Sequence, residues 1–483
     1  MTIDTRPVFY VIGALTSILA VAMMAPVSVD LAVGNPDWIA FAIAAAVTLL
    51  FGVLLMLANH TSWGALNLRQ TFLMTGLAWI IVCAFASIPF MTSGLGLSPA
   101  DAYFEAMSAL TTTGSTVISG LDHLPPGMLL WRSLLQWLGG VGIIGMGIAI
   151  LPFLRVGGMQ LFQSESSDRS DKVAPRASDL VASVAWVYMT LTVACTVALA
   201  FAGMSVFDAV NHAMTAVSTG GFSTRDASIT AWESPLIEWV LVVFMMLGGM
   251  PFVRFIGLMR KTAKPFWADT QVLWYIGFLV AVSVGLAIWL SLTQEVHWLD
   301  AIRLTTFNVV SIVTTTGYAS ADYSLWGPMA EIGFFMLTFV GGCTGSTAGG
   351  LKIFRFEILF IVLHMLQRRL YSPNLVIPLT YNGRPFSTDI MISVMSFGFV
   401  YMATVFVLAL LLGFMGSDII TALSGAATAV SNVGPGLGPV IGPTGNFATL
   451  PDGAKWLLAF GMLLGRLEFF TVLVILSPTF WRR

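Results

Sequence analysis

The sequence predicts an all-α membrane protein: two leading transmembrane helices, then four similar units of span, short helix, loop and span. Three observations carry this. Of 483 residues, 57% are hydrophobic and 10% charged, against about 25% charged in soluble domains. A water-soluble fold has no use for that much apolar surface, so the class is a polytopic membrane protein. Runs of about 20 apolar residues, the length that crosses a bilayer, recur along the chain. A hexapeptide of small residues ending in glycine appears four times.

The spans follow in order. Residues 8–29 and 38–58 form a leading unit, 1–68. Met1 to Pro7 is short, and no small-residue cleavage pattern precedes a polar segment, so the first run reads as a retained span rather than a signal peptide. The spans opening the four units are 71–91, 180–202, 272–292 and 390–414; those closing them are 131–155, 236–259, 330–367 and 455–477. Between them lie apolar segments too short to cross, at 101–113, 208–219, 300–316 and 418–432. The units are therefore 69–163, 180–264, 265–372 and 373–483, with a polar linker, 164–179, between the first two. Most of the 22 Lys and Arg, including Arg155, Arg169, Lys172, Arg176, Arg260, Lys261, Lys264, Arg368, Arg369, Arg384, Arg482 and Arg483, fall on one side; Arg132, Arg225, Arg303 and Lys455 are assigned to the other. The positive-inside rule then puts both termini in the cytoplasm. The net charge of −2 gives no argument for nucleic acid. Cys83, Cys195 and Cys343 have no paired spacing, which speaks against a disulfide framework or zinc site. The histidines likewise lack metal-ligand spacing and read as structural.

The four hexapeptides are ALTTTG (109–114), AVSTGG (216–221), IVTTTG (312–317) and AVSNVG (429–434). Asp101, Asp208, Asp300 and Asp418 open the segments that lead to them and read as helix N-caps. A second small-residue signal follows each: LGG (138–140), LGG (247–249), VGG (340–342) and LGR (464–466). The competing account is a set of helix-packing Gly and Thr positions without a common axis. Irregular backbone at membrane depth is tolerated only when buried in protein or lining water, and four equivalent segments can surround one pore. The expected fold is thus four pseudo-symmetric span–pore helix–filter loop–span repeats around one central pore. Each short helix would aim its C-terminal end, carrying about −0.5 of a charge, at the same point. A dehydrating cation exchanges water for protein oxygens, which carbonyls supply, and glycine lets the backbone turn them inward. The expected ion-binding positions are Thr112, Thr113, Gly114, Thr219, Gly220, Gly221, Thr315, Thr316, Gly317, Asn432, Val433 and Gly434.

The loops TTTGST, STGGFS, TTTGYA and SNVGPG within this fourfold plan resemble the Trk/Ktr/HKT superfamily of potassium transporters, most closely its TrkH-type bacterial subunits. The resemblance spans essentially the whole chain. In that family the loop glycines are tied to potassium selectivity, and a serine in the first repeat marks sodium-preferring relatives; Gly114 here implies potassium. The fourth loop departs furthest, so its ion contacts are the least typical. The resemblance further implies a homodimer in the bacterial cytoplasmic (inner) membrane, and a separate cytoplasmic regulatory subunit of the TrkA type that binds NAD or ATP. K+ is then cargo, and no cofactor is expected in this chain.

The closing span of the third unit reads FVGGCTGSTAGGLKIFRF, 339–356. Interior glycines cost about 1 kcal/mol each relative to alanine in a helix, so 341–352 is expected to be an intramembrane loop beneath the filter. Gly345, Ser346, Thr347, Ala348, Gly349, Gly350 and Lys352 would form a gate, a role the resemblance supports. A kink or close packing without gating competes with it, whereas a phosphate-binding loop lacks the required pattern. Lys352 and Arg355 also fit plain snorkelling. Arg466 stands where the other units have Gly140, Gly249 and Gly342. A central membrane arginine costs about 2.5–3.5 kcal/mol on insertion scales and must meet water, carbonyls or a carboxylate such as Glu468. It is either a structural ion pair or a charge facing the pore; the resemblance implies the second. An intramembrane enzyme is disfavoured because no nucleophile is paired with a positioned base. A sodium-permeable or ion-coupled (H+ or Na+) symporter remains the competing transport reading.

Overall fold

A computed structural model describes residues 3–60, 66–149, 177–259, 268–374 and 377–482. Most of the linker, 164–176, lies outside the described residues, as do Arg155, Arg260, Lys261 and Lys264. Among the described residues, seven helices are long and apolar enough to cross a membrane: Arg6–Val33, Trp38–Ala58, Leu68–Thr92, Pro126–Met146, Val181–Phe201, Thr270–Thr293 and Thr388–Phe414. Two further helix pairs meet the same test but are sharply bent: Pro235–Gly248 with Phe252–Met259 at 91°, and Asp452–Arg466 with Phe470–Leu476 at 112°. The expectation of unbroken spans at 236–259 and 455–477 is therefore corrected. At the first bend Pro251 cannot continue the helical ladder; at the second, Glu468 and Phe469 both take positive φ.

The outside of the molecule is apolar, and the hydroxyl side chains of the loops are buried within it. Phe399, Leu410 and Phe414 on one long helix are 75%, 74% and 90% exposed, while Thr111, Thr113, Thr314 and Thr316 are fully buried. This is the distribution a lipid-facing surface requires.

Four short helices, Pro99–Leu110, Val206–Val217, Trp298–Val313 and Ile419–Ser431, sit within this shell. Each packs against the long helix that precedes it. The helix closing the first unit, Pro126–Ala149, also packs on the short helix of the second; Pro235–Gly248 packs on that of the third; and Asp452–Arg466 packs on that of the first. Ile353–Tyr371 of the third unit packs on Thr388–Phe414 of the fourth, so the contacts run round the molecule and return to their start. The leading unit docks by a carboxylate: Asp30, fully buried, accepts the Gly127 N–H at 2.7 Å at the first turn of Pro126–Ala149, where a helix has unpaired donors.

The short helices begin as a capping box does rather than with the four aspartates. Ser98, Ser205 and His297 are the N-caps of the first three, placing Asp101, Asp208 and Asp300 at the third helical position. An acid there reaches back toward the cap and complements the helix dipole. Only the fourth helix is capped by its aspartate, Asp418. One departure from pure helix is a two-residue antiparallel ladder, Thr380–Tyr381 with Arg384–Pro385. Its Asn382-Gly383 turn has φ of 49° and 75°, the left-handed pair that a tight hairpin needs. Asn382 ties it to the start of Thr270–Thr293 by accepting the Thr270 N–H at 2.9 Å.

Candidate functional site

Each short helix ends in the same backbone turn. In the first, the Thr113 N–H donates to the Ser108 carbonyl at 2.8 Å and the Thr112 N–H to that of Ala109 at 3.0 Å. The corresponding pairs recur from Gly220 and Thr219, from Thr316 and Thr315, and from Val433 and Asn432. This is a Schellman closure, which needs a left-handed residue at its hinge. Those hinges are Thr112, Thr219, Thr315 and Asn432, with φ of 52°, 52°, 58° and 56°. Threonine is a poor choice there, because a β-branched residue is strained at positive φ by about 1–3 kcal/mol. Strain of this kind, repeated at the same position of three repeats, persists only where surrounding contacts impose it.

Those contacts join each loop to the next. A Cβ on Gly114 would lie 2.2 Å from the Gly220 carbonyl oxygen; on Gly221, 1.8 Å from that of Thr316; on Gly317, 2.1 Å from that of Val433; on Gly434, 2.8 Å from that of Thr113. The glycine of every loop thus sits against the third-residue carbonyl of the following loop, and the fourth loop returns to the first. The residue after each glycine reaches back the other way. Ser115 Oγ donates to the Gly434 carbonyl at 2.7 Å, the Phe222 ring lies 4.1 Å beneath the Arg132 guanidinium, Tyr318 hydrogen-bonds Thr215, and Pro435 packs on Gly317. All twelve residues expected at the ion-binding positions are brought together in this closed ring. Asn432 joins it by donating to Thr113 Oγ1 at 2.9 Å.

The segment 341–352 is not helical. Its ends are tied by hydrogen bonds from Gly341 N to Leu351 O, 2.8 Å, and from Leu351 N to Phe339 O, 3.0 Å. Between them it touches three of the four units. Thr347 Oγ1 meets the carbonyls of Gly248 at 3.0 Å and Val217 at 3.2 Å; Gly349 N donates to Thr315 Oγ1 at 2.7 Å; and a Cβ on Gly349 would lie 2.3 Å from the Ser431 carbonyl. Lys352 Nζ turns back to the Ala348 carbonyl.

Arg466, 3% exposed, donates from Nη1 to the Thr347 carbonyl at 3.0 Å. Its Nε and Nη2 find no partner among the described residues. It borders a cavity of about 30 Å³ shared with Gly345, Ser346, Gly349, Lys352 and Glu468, room for about one or two waters. Glu468 pairs with Arg355 instead, and the Arg355 guanidinium also lies 3.7 Å from the Phe397 ring centre. Of the partners open to Arg466 in the sequence, the structure chooses a backbone carbonyl.

The sequence reading missed the braces behind the loops. Arg132, assigned to an outer loop, is 1% exposed within a helix and bonds Glu105 at 2.8 Å, the Ser223 carbonyl and Thr116 Oγ1. Lys455, assigned likewise, is 4% exposed and pairs with Asp101 at 2.5 Å. Glu105, His212 and Asn308 each stand nine residues before a loop glycine. Each bonds the segment leaving its own loop: Glu105 to the Val117 N–H, His212 to Ser223 Oγ, Asn308 to Ser320 Oγ. Aligning the repeats outward from the hexapeptides would have exposed this column of polar residues.

Residues 39–483 match a family model described as TrkH: Cation transport protein. The chain is 47% identical over 478 residues to the Trk system potassium uptake protein TrkI of Halomonas elongata, covering 99% of this chain and 97% of that one. It is 36% identical over 484 residues to the Trk system potassium uptake protein TrkH of Escherichia coli K12, covering 99% of both. The crystal structure of the potassium transporter TrkH from Vibrio parahaemolyticus superposes with a TM-score of 0.92 at 33% identity, over 99% of this chain and 100% of that one.

Proposed function

The chain belongs to the TrkH family of cation transport proteins, and from that premise we propose that the ring of four loops is its potassium filter. It is a multi-pass inner-membrane protein of potassium uptake, a transporter and not an enzyme. The observation that carries the filter is the closed cycle of glycine-to-carbonyl contacts. The Schellman closures use up carbonyls of the last helical turns and leave those just beyond them to face the ion. Four helix C-terminal ends add negative potential there without a buried acid. The ion's hydration shell is exchanged for main-chain oxygen from Thr112, Thr113, Gly114 and their counterparts in the other loops.

The segment 341–352 is the gate. It lies against three of the four units: the Thr347 hydroxyl meets the ends of Pro235–Gly248 and of the short helix Val206–Val217, and the Gly349 N–H bonds the third loop at Thr315. Arg466 adds a positive charge bordering the same cavity and grips the gate at the Thr347 carbonyl. The units 69–163, 180–264, 265–372 and 373–483 act as four repeats, with both termini on the cytoplasmic side. Basic residues there, and on the linker 164–179, suit a separate cytoplasmic nucleotide-binding subunit acting on a homodimer. Flux of K+ and Na+ into vesicles holding the purified protein tests this. A K+ preference that Gly114→Ser abolishes supports the filter; flux that requires an imposed proton or sodium gradient would favour coupled symport.

A further inference from the structure

The second loop departs from its neighbours at one position. Its third residue is Gly220, where the first and third loops have Thr113 and Thr316 and the fourth has Val433. The cause lies outside the loop. Gln136, fully buried on Pro126–Ala149, occupies the space a side chain would need: a Cβ on Gly220 would lie 2.4 Å from its Cδ. Gln136 Nε2 donates to the Gly220 carbonyl at 2.6 Å, and its Oε1 accepts the Phe222 N–H at 3.0 Å. These partners dictate the amide's orientation, since only its nitrogen can donate and only its oxygen can accept. The Gly220 oxygen is the same atom that Gly114 of the first loop faces. In the first and third loops the third-residue hydroxyl pairs instead with the first-residue hydroxyl, Thr111 with Thr113 and Thr314 with Thr316, each at 2.8 Å.

We propose that Gln136 is a positioning residue for ion selection: it fixes the direction of the Gly220 carbonyl from the neighbouring unit and makes glycine obligatory at 220. The inference rests on the four loops being the potassium filter. A carbonyl oxygen has two lone pairs, so the Gln136 bond holds one and leaves the other for a cation. Without it the oxygen is free to reorient, and a ring free to contract discriminates less against the smaller sodium ion. Gly220 is outside the positive-φ region, so its backbone accepts a side chain once Gln136 is cut back.

The test uses the full-length protein in vesicles, with K+ and Na+ flux measured in parallel. Gln136→Met keeps the volume and removes both hydrogen bonds; the K+/Na+ flux ratio should fall on the order of five-fold, the weight of one net hydrogen bond. Gly220→Thr alone collides with Gln136 and should abolish flux. Gln136→Ala combined with Gly220→Thr gives the second loop the arrangement of the first and third, and should restore flux with a K+/Na+ ratio near wild type. Gln136→Glu keeps the acceptor for Phe222 but sets a carboxylate against the Gly220 carbonyl, and serves if the methionine variant is not monodisperse; its ratio should fall as well. An unchanged ratio in a well-folded Gln136 variant, or a double variant no better than Gly220→Thr, overturns the proposal. Gly114→Ser run alongside separates the two ideas. If it shifts the ratio while the Gln136 variants do not, the positioning role alone fails; if it also leaves the ratio unchanged, the filter reading fails.

Discussion

Gly114→Ser places a side chain where a neighbouring carbonyl leaves no room for one. Gly114 has φ +88°, and its new Cβ would lie 2.2 Å from the Gly220 carbonyl oxygen. A left-handed conformation costs an L-residue roughly 1–2 kcal/mol, and relief of the contact by a backbone shift adds roughly 1–3 kcal/mol. The shift falls on a carbonyl that we assign to the ion. If about 1.4 kcal/mol of this total differs between the K+-bound and Na+-bound states, the K+/Na+ ratio changes about ten-fold. The assay is paired K+ and Na+ flux in vesicles, with the variant shown to be folded. The geometry also ranks the four sites. The approach is closest at Gly221, 1.8 Å, similar at Gly317 and Gly114, and loosest at Gly434, 2.8 Å. Serine should therefore do most harm at 221 and least at 434. A K+/Na+ ratio unmoved by Gly114→Ser, or greatest harm at Gly434, would refute the reasoning.

Three other changes probe the surrounding parts. Arg466→Gln removes the charge and weakens the hold on Thr347; K+ flux should rise, and unchanged flux and selectivity in a folded variant would defeat the gate assignment. Thr347→Val removes a hydroxyl whose one proton lies between the Gly248 and Val217 carbonyls, worth about 1 kcal/mol, so steady flux should increase several-fold; a fall in flux would count against a gate held shut by it. Arg132→Ala leaves Glu105 buried without its cation, which typically costs about 3–5 kcal/mol; the thermal midpoint in detergent should drop clearly, and an unchanged midpoint would contradict the bracing role.

Much of the ring was legible because its signals are local. Hexapeptide spacing located all four loops, and the glycine-rich run at 341–352 announced a break in a helix. The braces were not legible, because their meaning is relational. Arg132 looks like a loop cation in a list of charges and becomes a buried clamp only when Glu105, Thr116 and Ser223 are folded around it. The bend after Arg466 escaped notice for a similar reason: nothing in LEFF warns that Glu468 and Phe469 adopt positive φ. The hairpin at 380–385 is the opposite case. Asn382-Gly383 is a strong local signal, overlooked beside the long helices.

Composition and periodicity alone determined that this chain lives in a bilayer, crosses it repeatedly and repeats one motif four times, since apolar length and small-residue spacing are properties of the chain itself. Tertiary structure decided which atoms meet. The order in which one loop's glycine faces the next loop's carbonyl, the choice of Thr347 over Glu468 as the partner of Arg466, and the exclusion of a side chain at 220 by Gln136 all depend on packing between segments far apart in sequence. A linear pattern carries no information on those distances, because close packing fixes them only when every neighbour is present.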